Sequence, residues 1–137
     1  MRSLDGTVAW ITGAGSGIGR AGALALAGAG VNLVLSGRRR EPLEETARML
    51  EGKGGGAVVL EPLDVADPEA ADAVAGRIRE RFGRLDILVN NAGINRPERH
   101  WRDVTVDAWR EVVEVDLNGA FYCVRAALPQ MRAQKDG

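Results

Sequence analysis

The 137-residue chain is predicted to fold as a doubly wound α/β sheet with right-handed crossovers. Three observations carry this. Short apolar runs alternate with segments of helical spacing along the chain. A glycine-rich turn at 12–19, "TGAGSGIG", follows the first apolar run, where a parallel strand would feed a helix. "DILVN" at 86–90 is apolar on both faces, as a central parallel strand is.

The elements follow in order. "TVAWI" (7–11) reads as the first strand, and residues 17–29 as a helix of small residues with Leu24 and Leu26 among alanines. "VNLVLS" (31–36) is the second strand. Pro42 suits a first helical turn, and Leu43, Ala47 and Leu50 keep helical spacing as far as "GKGGG" (52–56), which reads as a flexible helix-to-strand turn. "AVVLE" (57–61) is the third strand. Asp67 is an N-cap with Pro68 in the first helical position, and Ala71, Val74, Ala75, Ile78 and Phe82 share one face before Gly83 stops the helix. After the fourth strand, residues 105–133 read as helical. Trp109, Val112, Val113, Ala120, Val124 and Leu128 form the expected buried side, and Pro129 is expected to bend or end the helix. Trp10 and Cys123 read as core.

Composition narrows the function classes. The apolar fraction of 45% and charged fraction of 27% are ordinary for a globular protein. A net charge of −1 argues against nucleic acid or an anionic membrane as partner. With one cysteine, Cys123, no internal disulfide forms, and no apolar run has the length of a signal peptide or membrane span. A cytoplasmic location is expected. One histidine, His100, and one cysteine do not make a metal site. His100 lies in "RPERHWRD" (96–103), read as a solvated loop. The competing reading is a loop over a ligand mouth with Trp101 as a wall.

The glycine run is the main chemical signal. Glycines between a strand and a helix bare the backbone N–H groups of the helix N-terminus, where an anion is favoured and a pyrophosphate can approach closely. The common dinucleotide spacing G-x-G-x-x-G fits badly, because its third glycine would fall on Ile18. What fits is T-G-x-x-x-G-I-G: Thr12, Gly13, Gly17, Ile18 and Gly19. "LDV" (63–65), "NNAG" (90–93) and "WREVVEVDLNGAF" (109–121) follow in order. With these four stretches the chain resembles the short-chain dehydrogenase/reductase family, classical type, over nearly its whole length.

The resemblance implies a Rossmann-like sheet of strand order 3-2-1-4, one NAD(P)-binding domain over 1–137, incomplete at its C-terminus. It implies that Thr12, Gly13, Ser16, Gly17, Ile18 and Gly19 cradle the pyrophosphate. Asp64 and Val65 contact the adenine, and Asn91, Ala92 and Gly93 shape the pocket and brace the sheet. NAD-specific domains carry an acid about 20 residues past the glycines, at the end of the second strand. Here that place reads "SGRRR" (36–40), and Arg38 can pair with a 2′-phosphate. NADP(H) is therefore favoured over NAD(H), although Ser16, a loop position often basic in NADP-preferring relatives, is neutral. The other reading of the arginines is a capped surface turn.

Family members transfer a hydride between nicotinamide and a carbonyl or alcohol, with a serine, a tyrosine and a lysine four residues past it. In family order these follow residue 137. Tyr122 is followed four residues on by Ala126, the lysines are Lys53 and Lys135, and the serines are Ser3, Ser16 and Ser36. The set is therefore expected to be absent, and Tyr122 reads as packing. The family's fourth residue, an asparagine, falls on Asp116, which accepts a hydrogen bond but cannot donate one when ionised. Asn118 lies two places late. The resemblance implies a small-molecule substrate and a homo-oligomeric full-length parent. It also leaves "DILVN" as an open apolar edge, so this chain by itself is expected to be marginally stable or self-associating. The alternative is a non-catalytic dinucleotide- or partner-binding module. A methyltransferase is disfavoured by "NNAG" and the glycine spacing.

Overall fold

The computed structural model describes residues 3–137. Four parallel strands lie in the order β3-β2-β1-β4, with β1 at Val8–Thr12, β2 at Asn32–Ser36, β3 at Val58–Leu60 and β4 at Ile87–Val89. In register, Trp10 faces Val34 on one side and Leu88 on the other. Helices α1 (Gly17–Gly28), α2 (Arg40–Leu50) and α3 (Pro68–Phe82) alternate with the strands. Helix α4 (Val106–Val112) runs through a π-helical segment (Val113–Asn118) into α5 (Gly119–Gln134).

The sheet separates two apolar layers, because successive strand side chains point to opposite faces. Ala9, Ile11, Leu33 and Leu35 pack with Ala23, Ala27, Leu43 and Leu50 of α1 and α2. Val8, Trp10 and Val34 pack with Ala71, Val74, Ile78, Cys123 and Ala127 of α3 and α5. Trp10 is fully buried, and its indole Nε1–H donates to Ser36 Oγ at 2.9 Å, which satisfies both groups.

Helix α3 starts and stops as its sequence dictates. Asp67 accepts from the N–H of Ala70 at 3.0 Å, Pro68 occupies the first turn, and Gly83 ends the helix at φ +69°. The turn at 52–56 is more constrained than a flexible connection. A Cβ on Gly54 would strike the carbonyl of Ala27, and one on Gly56 the carbonyl of Val31. Strand β3 is shorter than expected, so Leu63, Asp64 and Val65 lie beyond it. Its pairing nonetheless continues, with Glu61 N–H donating to Leu35 and Leu63 N–H to Gly37, each at 3.0 Å.

The last helical region departs most from expectation. Trp109, Val124 and Leu128 are exposed, and Val112, Val113 and Ala120 are only partly buried. The buried positions are Gly119, Cys123 and Ala127, one residue before the expected Ala120, Val124 and Leu128. Small residues face inward because α5 lies close on its neighbours: a Cβ on Gly119 would come within 2.6 Å of Val65 Cγ2. Trp109 instead stacks on exposed Trp101, with centroids 6.4 Å apart. Pro129 does not end the helix, which runs on to Gln134 with Pro129 on its exposed side. Among the described residues strand β4 pairs only with β1, and its residues are half-buried rather than central. Among the described residues, no helix is long and apolar enough to cross a membrane, and no acidic, histidine and cysteine cluster is placed to hold a metal.

Candidate dinucleotide site

A groove opens at the carboxyl ends of the strands, where open α/β sheets hold ligands. The glycine turn after β1, the turn after β2, the exit of β3 and the exit of β4 converge on it. It brings together Gly13, Ser16, Arg38, Asp64, Val65, Ala92 and Gly93. Gly37, Arg39, Pro42, Leu63, Ile94 and Val115 line it as well. Thr12, Gly17, Ile18, Gly19, Asn91 and Asp116 do not line the groove, and most act on its walls or rim.

Thr12 is buried at the end of β1 and joins it to the exit of β4. Its Oγ1 accepts from the N–H groups of Asn91 and Ala92, both at 3.0 Å, and donates to Val89 O at 3.3 Å. Asn91 returns the contact, its Nδ2 donating to the carbonyls of Thr12 (3.1 Å) and Gly13 (3.2 Å). The approach requires glycine. Gly13 sits at φ +64°, and a Cβ there would lie 2.8 Å from Asn91 Nδ2 and 2.9 Å from Ala92 Cα.

Helix α1 begins without a side-chain cap, since Ser16 adopts extended backbone and its hydroxyl caps nothing. Among the described residues, no hydrogen bond uses the N–H groups of Gly15, Ser16, Gly17 or Ile18. Gly17 holds φ +51°. Ile18 is 83% exposed, an apolar side chain left at the rim beside these free donors. Bare N–H groups at the positive end of a twelve-residue helix favour an anion.

Arg38 and Arg39 are exposed on the opposite wall and make no ion pair among the described residues, whereas Arg40 is engaged by Glu44 at 2.9 Å. Ser36, at the end of β2, is turned away to Trp10. Asp64 is the one carboxylate lining the groove among the described residues, and its Oδ1 accepts from Ala66 N–H at 3.0 Å, a local turn that fixes its position. Val65 is buried against Gly119.

Asp116 lies on the π-helical segment, a conformation frequent at functional sites. Its Oδ1 accepts from Ile94 N–H at 2.8 Å and so holds the chain leaving β4. Tyr122 is not simply packed. Its hydroxyl donates to Glu114 Oε1 at 3.0 Å, and Asn118 Nδ2 donates to Glu114 Oε2 at 2.6 Å. The bond to Glu114, with some burial, raises the phenol above its ordinary pKa. Cys123 is buried, and burial pushes its thiol up to about 11. His100 and Trp101 lie exposed in the loop between β4 and α4 and do not line the groove.

The model of the family described as short chain dehydrogenase matches residues 7–137. A short chain dehydrogenase/reductase of Aspergillus oryzae is 38% identical over 135 residues, covering 98% of this chain and 52% of its own length. A crystal structure of NAD+-bound xylitol dehydrogenase superposes with a TM-score of 0.94 at 32% identity, over 99% of this chain and 52% of that one. L-sorbose reductase from Gluconobacter frateurii, solved with NADPH and L-sorbose, gives 0.88 at 39% identity, over 96% of this chain and 50% of that one. The chain thus spans about half the length of the relatives it matches. The family model's reach across both walls of the groove, with the shared sheet order, shows that this chain belongs to the short-chain dehydrogenase/reductase family.

Proposed function

We propose that this chain is the dinucleotide-holding part of a short-chain dehydrogenase/reductase, and that it takes NADP(H) in preference to NAD(H). Thr12, Gly13, Gly17, Ile18 and Gly19 form the turn that receives the pyrophosphate, with the free N–H groups of residues 15–18 as donors. Ser16 offers an uncommitted hydroxyl beside them. Asp64 and Val65 flank the adenine, and Asn91, Ala92 and Gly93 form the wall continuous with the turn. Asp116 holds that wall through Ile94.

The observation that carries the cofactor preference is Arg38: an exposed guanidinium on the groove wall, without a carboxylate partner among the described residues, where an NAD-specific site would place an acid. A 2′-phosphate presents about two negative charges and three acceptor oxygens to such a fork. NAD, with a plain ribose hydroxyl, gains little from it. Relatives in the family bind either dinucleotide: the xylitol dehydrogenase holds NAD+ and the sorbose reductase NADPH.

The whole protein's reaction, on this reading, is hydride transfer between nicotinamide and a small carbonyl or alcohol compound, in a cytoplasmic homo-oligomer. Within these 137 residues Tyr122 does not suit the proton-transfer role, because Glu114 holds its phenol above the ordinary value, whereas that role needs it lowered. This supports binding without turnover by this chain.

The test is fluorescence titration of NADPH and NADH against wild type and Arg38→Ala. The expected result is a loss of about tenfold or more in NADPH affinity, with NADH nearly unchanged. An unchanged preference would refute the role of Arg38.

A further inference from the structure

Resting on the dinucleotide reading above, we infer that Arg20 and Thr46 are positioning residues that aim the pyrophosphate donors of the glycine turn. A trans peptide holds its C=O and the next N–H in one plane, pointing in opposite directions. Fixing the carbonyl of residue 14 therefore aims the N–H of residue 15, and fixing that of 15 aims the N–H of 16. Glycine leaves such planes free to flip, so the turn does not hold its own orientation. A flipped plane would present a carbonyl oxygen to a phosphate.

Both carbonyls are clamped from outside the turn. Thr46 Oγ1, fully buried on α2, lies 2.9 Å from Ala14 O and 3.1 Å from Pro42 O. Its single proton serves Ala14 O, since Pro42 O is the i−4 carbonyl that α2's own ladder already satisfies. Arg20 Nε–H donates to Thr46 Oγ1 at 3.0 Å and fills the acceptor side of that hydroxyl. Arg20 Nη2 donates to Gly15 O at 2.5 Å and to Glu45 Oε2 at 2.9 Å. One guanidinium thus orients the hydroxyl that holds residue 14 and itself holds residue 15. A Cβ on Gly15 would lie 2.8 Å from Pro42 Cβ, so the turn also rests directly on α2. The clamp touches neither the ribose wall at Arg38 nor the adenine wall at Asp64.

The consequence is a signature different from that of Arg38. Loss of the clamp weakens what both dinucleotides share and leaves their ratio alone. The experiment measures dissociation constants of NADPH and NADH for wild type, Thr46→Val, Thr46→Ser and Arg20→Gln in the full 137-residue chain. Thr46→Val and Arg20→Gln are each expected to weaken both ligands by about tenfold with an unchanged NADPH-to-NADH ratio. Thr46→Ser, which keeps the hydroxyl, restores affinity to within about twofold. Arg20 is 21% exposed at its side chain, so its replacement keeps the test open should Thr46→Val fail to fold. Variants that bind both ligands as wild type does, or that lose NADPH alone, overturn the inference while the dinucleotide reading stands. Wild type that binds neither ligand overturns that reading and the inference with it.

Discussion

The two strands that flank β1 make an instructive contrast. On one side, β2 is covered on both faces, and Leu33, Val34 and Leu35 are fully buried. On the other, among the described residues β4 has a neighbour only at β1, and Ile87, Leu88 and Val89 are half-buried. The β1–β2 region carries the glycine turn and Arg38, with the turn's carbonyls answered by Asn91, Thr46 and Arg20. The β4–α5 region leaves Leu117, Phe121, Val124 and Leu128 outward. The glycine turn is thus braced within this chain, while the apolar surface beside β4 is open.

This contrast breaks most sharply under core truncation. Leu33→Ala, on the closed β2, should cost about 3–5 kcal/mol, and Leu88→Ala, on the open β4, about 1–2 kcal/mol. Urea unfolding checks both, and equal losses would erase the distinction. Next in size is association. The exposed apolar residues of α5 predict concentration-dependent self-association of the chain, reduced by Phe121→Glu with Leu128→Glu at a stability change within about 0.5 kcal/mol. Sedimentation velocity decides, and a wild-type chain that stays monomeric at high concentration would contradict it.

The smallest effect concerns acid. Asp86 sits where β4 begins, its carboxylate gripped by Arg84 at 2.8 and 2.7 Å and accepting from Val8 N–H at 2.8 Å. The Arg84 pairing, helped by the Val8 N–H, holds it below the usual carboxylate range against the opposing effect of burial. A depressed folded-state pKa means the pair's stabilisation is present above the unfolded-state value and lost as pH falls through the folded one. Asp86→Asn should therefore flatten the acid side of a stability-against-pH curve and leave its neutral shape unchanged. An acid limb as steep as wild type would remove Asp86 from that role.

Much of the fold was legible in the sequence because it is written locally. Alternating apolar runs, the Asp67 cap, Gly83 and the glycine turn each carry their signal within a few residues. The inward face of α5 was legible only at Cys123. Periodicity favours the larger Val124 and Leu128, whereas close packing on Val65 and α3 selects Gly119, Cys123 and Ala127, one residue earlier. The π-helical segment before it belongs to neither regular period. In the site, Gly13, Asn91 and Arg38 stood out through their motifs. Val115, Thr46 and Arg20 did not. Thr46 reaches Ala14 across 32 residues, and no local pattern announces such a contact.

The most direct measurement is calorimetric titration of NADPH and NADH into the 137-residue chain. Saturable one-to-one binding is expected, with NADPH about tenfold tighter and, at 100-fold excess over its dissociation constant, about 2.7 kcal/mol of added stability. Binding of neither, or tighter binding of NADH, would contradict the assignment of the groove as an NADP(H) site.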